Sequence, residues 1–132
     1  MSFCTAINCM DGRVQIPVID FLKKRFNVKF VDVISEPGPN KILCEKANLT
    51  LINSILDRVK ISVEKHQSVG LAITGHFDCA GNPTNFEKQR EHIFESIKLL
   101  RQHYAEIPII GLWVDENWKV HELPDLTVEH AK

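Results

Sequence analysis

The sequence predicts an α/β fold, a three-layer sandwich in which helices cover both faces of a mostly parallel sheet. Two observations predict it. Short apolar runs rich in β-branched residues alternate with longer stretches whose apolar residues recur every three to four positions. The runs are almost continuously apolar, which is typical of strands buried on both faces. No internal repeat or linker interrupts this alternation, so we expect a single domain over residues 1–132.

Five strands and three helical stretches follow from these patterns. The strands are predicted at Phe3–Asn8, Val28–Ile34, Val69–Thr74, Pro108–Val114 and Lys119–Leu123. The helical stretches are predicted at Ile16–Asn27, within Lys41–His66 with a break near Asn48–Thr50, and at Thr84–Tyr104, where Thr84 and Glu87 form a candidate capping box. The right-handed crossover rule favours strand order 2-1-3-4-5. Because a short connection precedes strand 5, we expect that strand to lie antiparallel at the edge.

The composition argues against several classes of protein. The chain has 132 residues, of which 44% are apolar and 25% charged, as is typical of soluble globular proteins. Its net charge of −1 gives no electrostatic basis for binding nucleic acid or an anionic membrane. No stretch reaches the roughly 20 apolar residues that span a bilayer, and the N-terminus has no signal-peptide pattern. We therefore expect a cytoplasmic protein whose four cysteines are reduced.

Reactive residues lie where this topology places a binding crevice. In open α/β sheets, ligands bind at the carboxyl ends of the strands where the strand order reverses, here strands 1 and 3. Cys9 ends the first predicted strand, and His76 and Cys79 follow the third. Zinc accepts two thiolates and an imidazole, and three protein ligands leave a fourth position free, as in catalytic zinc sites. The sequence therefore predicts that Cys9, His76 and Cys79 bind Zn²⁺.

Two charged residues follow the first of these ligands. Asp11 and Arg13 lie two positions apart, so in an extended loop both side chains can point the same way. A pairing between them would fix the carboxylate by a charge-assisted hydrogen bond. A carboxylate fixed beside zinc can accept a hydrogen bond from a metal-bound hydroxide and orient it toward a small-molecule substrate. Alone, each of these residues is more often a buried cysteine, a loop histidine or a solvated charge, but the two motifs in order favour the metal interpretation.

The motifs Cys-x-Asp-x-Arg and His-x-x-Cys resemble those that define the β-carbonic anhydrases. The similarity extends to Ala6–Val14, Thr74–Gly81 and Ile110–Leu123. The resemblance implies a zinc lyase, carbonate dehydratase, that hydrates carbon dioxide reversibly to bicarbonate by zinc-bound hydroxide. It also implies a homodimer or a higher homo-oligomer.

The resemblance assigns a role to each matched residue. Cys9, His76 and Cys79 would hold the zinc ion. Asp11 would receive the hydrogen bond from zinc hydroxide, or bind the metal itself in a resting form. Arg13 would hold Asp11 away from the metal.

One segment departs from the family pattern. After the second strand the family has a segment like Arg-Asn-Ala-Gly, whereas this chain has Ser35–Gly38, of which only Gly38 is clearly kept. Gly38 is therefore a candidate substrate-binding residue, beside an altered wall. Two alternatives stay open: a hydrolase of a small carbon dioxide analogue such as carbonyl sulfide, and a non-catalytic zinc-binding domain.

Overall fold

A computed structural model describes residues 2–124 and confirms the predicted fold class. One five-stranded sheet has the order β2-β1-β3-β4-β5, parallel throughout except for the antiparallel pair β4–β5. None of the helices in the described part of the chain is long and apolar enough to cross a membrane. The elements in chain order are β1 Phe3–Cys9, α1 Gln15–Arg25, β2 Phe30–Glu36, α2 Pro39–Glu45, α3 Leu49–Glu64, β3 Leu71–His76, α4 Phe86–His103, β4 Ile109–Val114 and β5 Val120–Glu122.

Helices cover both faces of the sheet, and each face has its own apolar core. On one face α1 packs against β1, β3 and β4 through buried side chains that include Val18, Leu22, Ala6, Ala72 and Leu112. On the other face α2, α3 and α4 pack against the sheet through side chains that include Leu43, Ile55, Ile93, Ile7 and Ile73. The near-continuous apolarity of the strands thus has the predicted cause, because alternate residues of one strand enter different cores.

Two strands lie about two residues further along the chain than predicted. Val28 precedes β2 because its N–H bonds to the carbonyl of Lys23, which makes it part of the turn that ends α1. Asn27 is left-handed in that turn, with φ 53°. In β3 the correction affects the site: His76 is the last residue of the strand and does not follow it. The sequence could not show this, because Gly75 and His76 carry no strand propensity.

The helical stretches differ from the predictions mainly at their ends. The expected break in the second stretch exists: α2 ends at the left-handed Lys46, and α3 begins after Asn48, whose side chain accepts a hydrogen bond from Leu51 N–H. The capping box of Thr84 and Glu87 is wrong. Asn85 is the N-cap of α4, and its Oδ1 accepts a hydrogen bond of 2.9 Å from Lys88 N–H. Asn caps helices at least as well as Thr, so the neighbouring residue takes this position.

The sheet opens between β1 and β3 at their carboxyl ends. Their backbone pairing ends at Ile7 and Ile73, although both strands continue. Beyond this point a side-chain hydrogen bond of 2.6 Å, from Thr74 Oγ1 to Asn8 Oδ1, bridges the gap. The crevice at the reversal of strand order is therefore a feature of this sheet, as the topology predicts.

Candidate metal centre

Three side chains with metal-ligating atoms converge at this opening. Cys9 ends β1, His76 ends β3, and Cys79 lies in the turn after β3; all three are buried. Their ligand atoms lie within 4.8 Å of one another, and no other group of three potential ligands lies this close within residues 2–124. The structure thus brings together the three residues that the sequence singled out. Asp11 and Arg13 lie in the adjoining turn, outside this group.

The imidazole of His76 has one nitrogen without a hydrogen-bond partner. Its Nδ1 lies 2.7 Å from the carbonyl oxygen of Phe77, so Nδ1 carries the proton and donates it. In the neutral ring Nε2 is then an acceptor. Among the described residues, His76 Nε2 is the one buried side-chain nitrogen or oxygen without a hydrogen-bond partner. A buried unpartnered nitrogen is unfavourable unless it has a ligand, and the carbonyl contact of the other ring nitrogen is the usual orientation of a metal-binding histidine.

The separation of the two sulfurs fits a single zinc ion. Two thiolates at about 2.3 Å from one tetrahedral centre lie roughly 3.8 Å apart. Cys9 Sγ and Cys79 Sγ are 3.9 Å apart. A soft donor set of two sulfurs and one imidazole nitrogen is the kind that zinc prefers. The residues present therefore fit this metal in number, chemistry and spacing.

The two thiols have unequal pKa values. Hydrogen bonding between their sulfurs, aided by the nearby His76, lowers the pKa of Cys9 to about 4 against the effect of burial. The same contact, together with burial, raises the pKa of Cys79. A dication bound between the two sulfurs would require both groups as thiolates.

Backbone N–H groups near both sulfurs also shift the pKa values of the two thiols. The N–H groups of Gly38 and Asp11 lower the pKa of Cys9, and those of Asn82 and Gly81 oppose the rise in the pKa of Cys79. Hydrogen bonds to a charged form stabilise that form. These groups therefore favour the thiolates, the form in which cysteine binds a metal.

Asp11 and Arg13 form the predicted pair. Arg13 Nη2 donates to Asp11 Oδ2 at 2.7 Å, Arg13 Nε donates to Oδ1 at 3.0 Å, and the Arg13 backbone N–H donates to Oδ1 at 2.9 Å. These bonds from Arg13 lower the pKa of Asp11 to about 2. Asp11 is therefore a carboxylate at neutral pH, and both of its oxygens bond to Arg13.

Arg13 is held by two further residues. Its Nη1 donates to Asp78 Oδ2 at 3.3 Å, and its Nη2 donates to the Asp78 carbonyl at 3.1 Å. The guanidinium carbon lies 4.5 Å from the ring centroid of Trp118 in the β4–β5 hairpin, a cation–π contact. Sequence reasoning missed both partners. Asp78 lies inside the His-x-x-Cys motif, a position that could have suggested it, but nothing in the sequence pointed to Trp118.

Gly38 lies beside the site in a backbone position that only glycine adopts easily. Its φ of +61° is left-handed, and it is the residue before α2. A Cβ at this position would lie 2.7 Å from the carbonyl carbon of Gly81. The structure thus brings the backbone of Gly38 close to that of Gly81, and the Gly38 N–H lowers the pKa of Cys9. A substrate-binding role for it stays a prediction.

Gln15 is a further residue that sequence reasoning missed. Its Nε2 donates to the carbonyls of Cys9 at 2.7 Å and Asp11 at 2.9 Å, and so stabilises the turn that carries both residues. The turn itself contains a single turn of 3-10 helix, Gly12–Val14, before α1.

The fold and this site define a class of protein. The family model described as "putative carbonic anhydrase" matches residues 1–124, and the chain belongs to this family. No curated protein matches the chain in sequence.

Solved β-carbonic anhydrases share the fold. The enzyme CafA of Aspergillus fumigatus aligns with a TM-score of 0.57 and 13% identity over 97% of this chain and 79% of its own. A mutant of CafD from the same fungus gives a TM-score of 0.62 and 13% identity over 95% of this chain and 90% of its own. A tetrameric β-carbonic anhydrase of Sordaria macrospora gives 0.54 and 12% identity over 92% and 80%. The chain is therefore a divergent member with a β-carbonic anhydrase-like fold.

Proposed function

We propose that the chain is a zinc-dependent carbonic anhydrase that interconverts carbon dioxide and bicarbonate. The observation that carries the proposal is the convergence of Cys9, His76 and Cys79 around a bare, buried imidazole nitrogen. Three protein ligands leave one position of a tetrahedral ion for solvent, the arrangement of catalytic zinc sites. Asp11 is not assigned to that position, because its carboxylate lies outside the group of three and is held by Arg13.

The proposed reaction combines carbon dioxide with water to give bicarbonate and one proton. A zinc ion held by Cys9, His76 and Cys79 would supply Lewis acidity, which would make water a nucleophile near neutral pH. Asp11, anionic and fixed, would accept a hydrogen bond from the attacking water and orient its oxygen toward the carbon atom. Arg13 keeps this carboxylate in place, because it is itself held by Asp78 and Trp118.

We propose a homo-oligomer in a reducing compartment, the cytoplasm. Thiolate ligands require reduced cysteines, which supports that compartment. The oligomer is supported by exposed apolar residues near the metal site: Met10 is 62% and Phe77 46% exposed. The structural neighbour from Sordaria macrospora is tetrameric. Size-exclusion chromatography with light scattering tests the assembly, and a monomer at micromolar concentration would exclude it.

We propose carbonyl sulfide as a second candidate substrate, because the segment Ser35–Gly38 departs from the family pattern. Glu36 of this segment ends β2 directly beside Cys9 in the strand register. Its carboxylate forms an ion pair with Arg58 of α3. The departure of Ser35–Gly38 from the family pattern leaves the proposed nucleophile unchanged and alters the residues beside it. Sulfide release on addition of carbonyl sulfide, compared with the rate of carbon dioxide hydration, distinguishes the two substrates.

The metal proposal is tested by metal analysis of variants. Cys9→Ser should lose zinc, because a hydroxyl is a poor zinc ligand at neutral pH. Cys44→Ser is the matched control, because Cys44 lies on α2 outside the group of three ligands and its replacement should leave one zinc per chain. Equal zinc content in both variants would refute the assignment of Cys9. A zinc-free wild-type protein that takes up no zinc on reconstitution would refute the metal centre as a whole.

The activity is tested by isotope exchange between labelled carbon dioxide and water. The zinc-loaded protein should exchange label above background. Asp11→Asn should retain zinc but exchange on the order of 10²-fold more slowly, because the neutral amide loses the charge-assisted pairing that orients it. A zinc-loaded wild-type protein without exchange, and without sulfide release from carbonyl sulfide, would favour a non-catalytic zinc-binding domain.

A further inference from the structure

A buried glutamine of α4 is bound to the main chain of the histidine ligand. Gln89 is fully buried on the face of α4 that packs toward the site. Its Oε1 accepts a hydrogen bond of 3.1 Å from His76 N–H, and its Nε2 donates one of 2.8 Å to the His76 carbonyl. One carboxamide thus satisfies both main-chain groups of a single residue, as a neighbouring strand would.

The opening between β1 and β3 explains why His76 needs this partner. The next residue, Phe77, donates its N–H to Val114 of β4. Successive residues of a strand direct their N–H groups to opposite sides, so the amide of His76 faces away from β4. On that side the pairing between β1 and β3 has already ended at Ile73. Gln89 therefore supplies the hydrogen bonds that β1 does not make with His76.

A residue of α2 also holds the carboxamide of Gln89 in place. Asn40 of α2 donates from Nδ2 to Gln89 Oε1 at 3.3 Å, and Asn40 Oδ1 accepts from Asn82 Nδ2 at 3.3 Å. All three side chains are at least 98% buried. Space around them is closed, because a Cβ on Gly75 would lie 2.7 Å from Gln89 Oε1. A fully satisfied buried network of this kind holds its members in one arrangement.

We propose that Gln89 is a positioning residue of the metal centre, which sets the place of the His76 imidazole through the His76 main chain. This inference rests on the proposed zinc site. Two of the three proposed ligands, Cys9 and Cys79, lie at the end of β1 and in the turn after β3. The imidazole depends on the end of β3, and within residues 2–124 Gln89 alone makes hydrogen bonds to the main chain of His76 on the free side of that strand. Its loss should therefore weaken the nitrogen ligand and leave the sulfur ligands in place.

The test is a cobalt titration of Gln89→Met, with zinc removed beforehand. Methionine has a similar length but neither donates nor accepts as the carboxamide does, so both bonds to His76 are lost. Loss of a residue that orients a metal ligand typically costs about 10–100-fold in metal affinity. We expect Co²⁺ affinity, measured against a competing chelator, to fall by that factor. The d–d absorption of the saturated variant should also change, while sulfur-to-cobalt charge transfer persists.

Ser96→Ala is the matched control. Ser96 lies buried on the same helix, and its Oγ lies 2.7 Å from the carbonyl of His92 and 3.1 Å from that of Asn40, without contact to His76. This variant should lose stability without a change in Co²⁺ affinity or spectrum. Gln89→Asn, whose carboxamide is one methylene too short, replaces Gln89→Met if the latter does not fold; circular dichroism checks folding before each titration.

The outcomes separate the two proposals. Wild-type affinity and spectrum in a folded Gln89 variant would overturn the positioning role and leave the metal site standing. Equal losses in the Ser96→Ala control would also overturn it, because the effect would then be general destabilisation. Failure of the wild-type protein to bind Co²⁺ would overturn the zinc site, and this inference with it.

Discussion

Replacement of Gly38 by alanine tests how tightly the connection between β2 and α2 packs against the loop after β3, which carries Cys79. The added Cβ would lie 2.7 Å from the carbonyl carbon, 2.9 Å from the oxygen of Gly81 and 3.0 Å from the nitrogen of Asn82. All three contacts are with backbone, so no side chain can rotate away to relieve them. The loops must separate by several tenths of an ångström, at the point where their N–H groups approach Cys9 and Cys79.

The cost has two parts. A left-handed φ of +61° costs alanine about 1–2 kcal/mol relative to glycine. Overpacking against a fixed neighbour adds about 1–3 kcal/mol. The sum of about 2–5 kcal/mol is a large share of the roughly 5–15 kcal/mol that stabilises a typical domain. At a few degrees per kcal/mol for a chain of this size, the melting temperature should fall by about 10 °C.

The chain offers a matched control in the turn after β1. Gly12 lies between Asp11 and Arg13, and a Cβ there would meet nothing within 4 Å. Thermal unfolding followed by circular dichroism should show Gly12→Ala close to wild type and Gly38→Ala far below it, with weaker zinc binding in the latter. Equal melting temperatures for the two variants would refute the argument from backbone contact.

Three further outcomes follow from the same structure. Chelation of the metal should lower the melting temperature, since an ion bound only by the folded chain stabilises it, and added zinc should restore it; a melting temperature indifferent to zinc would contradict the metal centre. Leu112→Ala, at a fully buried position of the α1-side core, should cost about 2–5 kcal/mol in urea unfolding, and a cost below about 1 kcal/mol would contradict the packing described. Burial and the Asp32 carboxylate raise the pKa of Cys4 to about 11, so a thiol reagent at pH 8 should label this residue only after denaturation, as mass spectrometry of the labelled peptides can show.

The sequence predicted the fold and the convergence of Cys9, His76 and Cys79 for one physical reason. Strands buried on both faces and helices with a regular apolar stripe leave strong periodic patterns, and the crossover rule then restricts the topology to few arrangements. The strand order places the ends of β1 and β3 side by side. Cys9 and Cys79, 70 positions apart in the chain, could therefore be brought together without any structural information.

The supporting residues could not be predicted in this way. Gln89 reaches His76 from a helix, and Trp118 reaches Arg13 from a hairpin, so both contacts depend on how elements pack against one another. Neither contact produces a period or a motif in the sequence. The predicted N-cap of α4 was wrong for a simpler reason. Thr84 and Asn85 both suit an N-cap, and a shift by one residue leaves the apolar pattern almost unchanged.

The parting of β1 from β3 divides the sheet into two regions of different strength. Up to Ile7 and Ile73 the strands are joined by main-chain hydrogen bonds between two apolar cores, whereas beyond them the halves are linked by side chains such as Asn8 and Thr74. Local opening of this end of the sheet requires only those few side-chain hydrogen bonds to break, at a free energy below that of global unfolding. Local opening there would expose Cys9 and His76 in a chain that is otherwise folded, so uptake of the proposed ion would not require unfolding of the sheet.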